Sequence, residues 1–144
     1  MDDKFTNTDL NPIDIYDYPW LYERDIRFLP SKIHNTGKWM LFYDKNLMNE
    51  KWSVCKTLYK ESKLNGVFSM KCSTSYDNSR ASSKNGVIIL YCNNSEDKET
   101  IMKIGENIKR LTSYPQTMSY KTDEQTRIGT RATGNKINHI YKIE

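Results

Sequence analysis

Val67-Phe68-Ser69-Met70-Lys71-Cys72-Ser73-Thr74-Ser75 and Val87-Ile88-Ile89-Leu90-Tyr91-Cys92 are the segments whose reading decides the fold. The first alternates Val67, Ser69, Lys71 and Ser73 against Phe68, Met70, Cys72 and Thr74. That period of two predicts a strand with one wet face. The second is a nearly continuous apolar run and predicts a buried central strand. Residues 76–86 between them are polar and offer almost nothing to bury, so they read as the loop of a long hairpin. A connection of that kind carries no crossover helix, and the pair must run antiparallel.

Working outward, Trp39-Met40-Leu41-Phe42-Tyr43 has the apolar and aromatic bias of a strand. Asp44 is placed to cap a helix that begins just after it. Over residues 47–60, Leu47, Val54, Cys55 and Leu58 interleave with Met48, Trp52 and Tyr59, giving one wide helical stripe that Asn65-Gly66 ends. A second helix opens at Asn94 or Ser95, with Glu96 and Asp97 suited to its dipole. Ile101, Ile104, Ile108 and Leu111 share one of its faces. Met118 to Lys121 predicts a short strand, 122–136 a polar loop, and 137–143 a closing strand. The order is strand, helix, strand, strand, helix, strand, strand. The predicted fold class is α+β, a mainly antiparallel sheet backed by two main helices.

Residues 1–18 are rich in Asp, Asn and Thr and read as a mobile acidic leader or an arm lying on the domain. Tyr18-Pro19-Trp20-Leu21-Tyr22 would anchor it. Residues 19–144 read as a single α+β domain, in keeping with a chain of 144 residues. Residues 1–25 carry a net charge of −5, which leaves +9 on the rest of a chain whose total is +4. A basic body suggests an anionic partner, although lysines also simply solubilise a surface. No stretch reaches the roughly 18 apolar residues of a membrane span, and the N-terminus has no secretory pattern. Cys55, Cys72 and Cys92 form no Cys-x-x-Cys pair. A disulfide framework is not expected, and a reducing, cytoplasmic setting is.

The motifs of the common NTPases, dinucleotide enzymes and serine hydrolases are absent. With two histidines, His34 and His139, and no clustered ligands, neither a metal nor a cofactor is expected. His139 reads as a half-buried structural residue before it reads as a base. The segment from Ser119 to Arg131 concentrates charge. Arg127 and Arg131 offer forked donors for phosphate, Lys121 a point charge, and Thr130 a hydroxyl beside Gly129. A hydrogen-bonded surface turn would show the same composition. Lys71 lies on the wet face of its strand, where a concave sheet would present it beside Lys121. Trp39 and Trp52 read as core. Trp20 or Tyr120 would stack on a base.

Gly37-Lys38-Trp39-Met40-Leu41-Phe42, Trp52, Leu64-Asn65-Gly66, Val87 to Tyr91, Tyr120 to Thr126 and Ile137 to Tyr141 resemble the basophilic-leukaemia-expressed protein family, across most of residues 30–144. That family is similar in fold to the cap-binding translation initiation factor 4E. The resemblance implies a curved antiparallel sheet whose concave face is able to hold a nucleotide-like ligand. The initiation factor clamps a methylated guanine between two tryptophans and reads its edge with an acid. Trp39 and Trp52 match its structural tryptophans, and neither stacking tryptophan has a counterpart here. Fold by itself confers no activity.

Three functions are expected on these grounds. The first is a nucleotide- or RNA-phosphate-binding module using Lys71, Tyr120, Lys121, Arg127, Thr130, Arg131 and Trp20. The second is a protein-interaction adaptor docking a partner through the leader or second helix. The third is a metal-independent nucleotide phosphodiesterase with His139 as base and Lys121 stabilising charge. The partner expected is a nucleotide or RNA phosphate, with a protein as the alternative and no membrane.

Overall fold

A computed structural model describes residues 3–77, 85–128 and 140–144. Its strands are β1 (Trp20–Arg24), β2 (Gly37–Asp44), β3 (Val67–Ser73), β4 (Asn85–Cys92), β5 (Met118–Thr122) and β6 (Tyr141–Ile143). Its helices are α1 (Met48–Lys60), α2 (Lys98–Thr112) and the short α3 (Asp123–Ile128). The strands form one curved sheet in the order β1-β3-β4-β2-β5-β6. Every neighbouring pair is antiparallel. The predicted fold class is therefore the observed one.

The core lies on one side of the sheet. Trp39, Leu41, Met70, Ile88, Leu90 and Met118 pack with Trp52, Cys55 and Tyr59 of α1 and with Ile101 and Ile108 of α2. Trp39 and Trp52 are both buried, as their patterns predict. Their polar atoms and those of Tyr59 must find partners, since an unpaired buried donor is costly. Trp39 Nε1 donates to the carbonyl of Ile101 at 3.1 Å. The Tyr59 hydroxyl donates to the carbonyl of Phe68 at 2.7 Å and accepts from the Asp25 amide. Among the described residues no helix is long and apolar enough to cross a membrane.

Four local expectations are corrected. The stretch Tyr18 to Tyr22, read only as an anchor for the leader, runs into a sheet strand, β1, paired to β3. The second helix starts at Lys98, because Asp97 caps it through the Thr100 amide. Asn94 instead takes a left-handed conformation, and Ser95 turns inward to bond the Tyr120 hydroxyl. Residues 123–128, read as loop, are α3. Thr122 Oγ1 accepts from the Gln125 amide while the Gln125 side chain accepts from the Thr122 amide, a reciprocal cap that nucleates the turn. Finally, the register slips between Val67 and Ser69. An extra residue at such a bulge reverses the alternation before it. Val67 thus joins the core, and Phe68 falls outside the core cluster, with its ring 6.3 Å from that of Tyr91.

Residues before β1 lie along the domain. Phe5 is buried and stacks on Tyr18 with ring centroids 4.4 Å apart. Thr6 bridges to Tyr22, and the Asn7 side chain bonds both backbone groups of Arg24. Pro12 is buried, and the Ile13 amide donates to Asn49 of α1. The segment closes the outer edge of β1, an edge that would otherwise offer unpaired groups.

Candidate functional site

Strand alternation puts every second side chain on the sheet face away from the helices. The register aligns these side chains into rows. One row runs Arg24, Ser69, Tyr91, Lys38, Lys121 across five strands. The next runs Tyr22, Lys71, Ile89, Met40, Ser119. Four cations therefore stand on one concave face with two tyrosines between them.

Over the β1 and β3 end of this face lies a cavity of about 400 Å³. Tyr22, Arg24, Phe68, Lys71, Tyr91 and Asp123 line it, and exposed Ile33 stands at its mouth. Asp123 begins α3 and is spent within the protein. Its Oδ1 accepts from Lys38 Nζ at 3.1 Å and its Oδ2 from Thr36 Oγ1. Lys38 is almost wholly buried, so this pair is screened far less than a surface pair.

Lys71 is differently placed. Its ammonium sits 4.0 Å from the Trp20 ring centroid and 5.9 Å from that of Tyr91. Burial lowers its pKa below the usual lysine value, the charge of Lys38 lowers it further, and Asp123 opposes both. A carboxylate neighbour close enough to hold the charged form would have reversed that direction. Burial also raises the Tyr91 hydroxyl to about 12, helped by the negative charge of Asp123. The second acid that contributes to the lining, Glu23, alternates to the opposite side, where Lys60 and Lys56 of α1 act on it against the like charges of Asp9 and Asp25.

The structure places the residues predicted from sequence in three groups. Lys71, Trp20 and Lys121 stand on the concave face. Lys71 and Lys121 are not side by side, however. Strands β4 and β2 come between them, a gap of about 14 Å at ordinary strand spacing. Lys38 fills that interval. Tyr120 is a correction: it is fully buried on the helix side, its hydroxyl bonded to Ser95, and presents no ring to a ligand. Arg127 is exposed on α3, 3.6 Å from Glu124, and lines a second, open cleft of about 560 Å³ with His34 and Asn35. Asp123 lines both clefts. Thr130, Arg131 and His139 lie outside the described residues.

Sequence reasoning missed Tyr22, Arg24, Lys38, Phe68 and Tyr91. Tyr22, Arg24 and Tyr91 needed a strand phase that local pattern left unset, and Phe68 was hidden by the bulge. Lys38 was legible, since it alternates with buried Trp39 and Leu41 in β2.

The profile of the family described as basophilic leukemia-expressed protein Bles03 matches residues 23–129. No curated protein sequence matches the chain. Among solved structures, a schistosome eIF4E complexed with m7GpppA and 4E-BP is similar with a TM-score of 0.71 at 20% identity, covering 95% of this chain and 76% of that one. Ascaris suum eIF4E-3 with m7G cap gives a TM-score of 0.57 at 14% identity, over 76% and 57%. C. elegans eIF4E-3 with the 4E-binding protein Mextli and a cap analog gives 0.55 at 13% identity, over 66% and 54%. At these identities the likeness shows the fold.

Proposed function

Since the chain belongs to the basophilic leukemia-expressed protein Bles03 family and has the eIF4E-like fold, we propose that it is a binding module for a nucleotide or an RNA phosphate, seated on the concave sheet face. The observation that carries this reading is Lys71. Its ammonium lies among aromatic rings beside a 400 Å³ cavity and, among the described residues, is paired to no carboxylate. A phosphate oxygen would supply the missing counter-charge, and a charge-assisted bond there gains from the partial burial. Arg24 and Lys121 extend the cationic track along the face, and Tyr22, Phe68 and Tyr91 offer surfaces to a base. Structural relatives solved with cap nucleotides support the choice of ligand class.

Binding of nucleoside monophosphates, diphosphates and short single-stranded RNA, titrated across salt, tests it. We expect affinity to fall with salt at a logarithmic slope of about 0.7 per phosphate engaged. The double variant Lys71→Ala, Lys121→Ala should lower affinity for phosphate-bearing ligands at least tenfold and leave the melting temperature near that of the parent. Equal binding by parent and double variant would sink the assignment. A protein-interaction adaptor is the second reading, favoured by the relatives solved with 4E-binding proteins. A stoichiometric protein partner with no phosphate affinity would select it.

A further inference from the structure

Two of the aromatic rings at this end of the face, Tyr91 in the cavity lining and Trp20 next to Lys71, already carry cations that belong to the protein. Lys71 Nζ lies 4.0 Å from the Trp20 centroid. The Tyr91 ring has Lys71 Nζ at 5.9 Å and Lys38 Nζ at 6.0 Å. A ring quadrupole attracts one cation well, and a second cation on that ring meets the first. The acid on this face that lines the cavity, Asp123, has both oxygens bonded, to Lys38 and to Thr36. The carboxylate of Glu23 is on the α1 side, near Lys60 and Lys56. Among the described residues that line the cavity, then, the one carboxylate on this face already has a lysine as its partner.

We infer that the cavity selects neutral over cationic rings, with Lys71 the residue that sets the choice, so that its ligand is an unmethylated nucleotide and not one whose base is alkylated to a cation. This rests on the phosphate-binding reading and narrows it. A guanine methylated at N7 carries a positive charge on the ring. Stacked on Trp20 or Tyr91, that charge lies against the Lys71 ammonium, and like charges at such distances repel strongly where water is partly excluded. A neutral base suffers no such cost, and its phosphate draws the ammonium off the indole and leaves that face free for stacking.

Parallel titrations of GDP and 7-methyl-GDP at slightly acid pH, where the methylated ring keeps its charge, decide the matter. Trp20 is the half-buried tryptophan of the three, so indole fluorescence reports the event directly. GDP should bind at least about tenfold more tightly than 7-methyl-GDP. Lys71→Met should collapse that ratio toward one, and Lys71→Gln should do the same if the first variant folds poorly. Equal or tighter binding of 7-methyl-GDP overturns the inference while the phosphate-binding reading stands. A preference for GDP that survives both substitutions overturns the role of Lys71. Absence of binding by either nucleotide removes the inference together with the reading it rests on.

Discussion

Glu23 shows what a single residue reveals about this fold. It is 3% exposed, and its Oε1 has no hydrogen-bond partner. Burial raises its pKa above the ordinary glutamate value of 4.5, and Lys60 and Lys56 offset only part of that shift. The native state therefore holds the Glu23 proton to higher pH than the unfolded chain does. Stability falls as pH rises through the window above 4.5, as the buried carboxyl is forced to ionise. Glu23→Gln removes the charge and keeps the shape. At neutral pH it should stabilise the protein by about 1 kcal/mol, roughly 3 °C in melting temperature. Below the ordinary carboxyl range the gain should vanish. Melting curves of parent and variant across pH check this, and a variant that melts lower at neutral pH would mean that the carboxylate is held by a partner.

At the scale of elements, α2 contains a glycine whose role is packing. Helix propensity alone would favour alanine at Gly105 by about 1 kcal/mol. A Cβ there, however, would stand 2.4 Å from Trp39 Cζ2 and 2.6 Å from Ile143 Cδ1. The indole is fixed by its bond to Ile101 and is no flexible tip. Gly105→Ala should thus destabilise by about 1–3 kcal/mol despite its better propensity. Chemical denaturation measures the loss, and an unchanged or raised midpoint would show that α2 shifts to make room. The same scale explains α3. Thr122-Asp123-Glu124-Gln125 spells a capping box in the sequence. Its abundance of threonine and charge made it read as a loop, although the cap that starts the helix was there to be read.

For the whole molecule, the decisive question is whether the first eighteen residues belong to the folding unit. Phe5 packs into the core cluster, Asn7 clamps Arg24, Lys56 Nζ donates to the Thr8 carbonyl, and the Ser75 amide bonds the carbonyl of Ile15. These contacts reach β1, α1 and the end of β3 together. Phe5→Ala should cost about 3 kcal/mol and move the single unfolding transition as a whole. A transition unmoved by the substitution would mean that the segment is an independent appendage. Tyr22 lies between this segment and the cavity, bridged to Thr6 on one side and lining the pocket on the other, so loosening the segment should also weaken ligand binding.

The sequence by itself determined the class of fold. Short-range periodicity marks strands and helices, and the polar hairpin between 67–75 and 87–92 leaves antiparallel pairing as the available topology. It determined that Trp39 and Trp52 are core, because both sit on apolar faces of their elements. It placed Lys71 on a wet face for the same reason. Tertiary structure alone decided the rest. Which strands are neighbours is a long-range matter, and it separated Lys71 from Lys121 by inserting β4 and β2. A bulge at Val67 and Ser69 turned Phe68 away from the core, which no alternation rule anticipates. Tyr120 looked like a stacking ring beside Lys121, yet successive residues of a strand face opposite ways, and the sheet put its hydroxyl against Ser95 in the core. Lys38 and Asp123 are 85 residues apart, and only the folded chain brings them together.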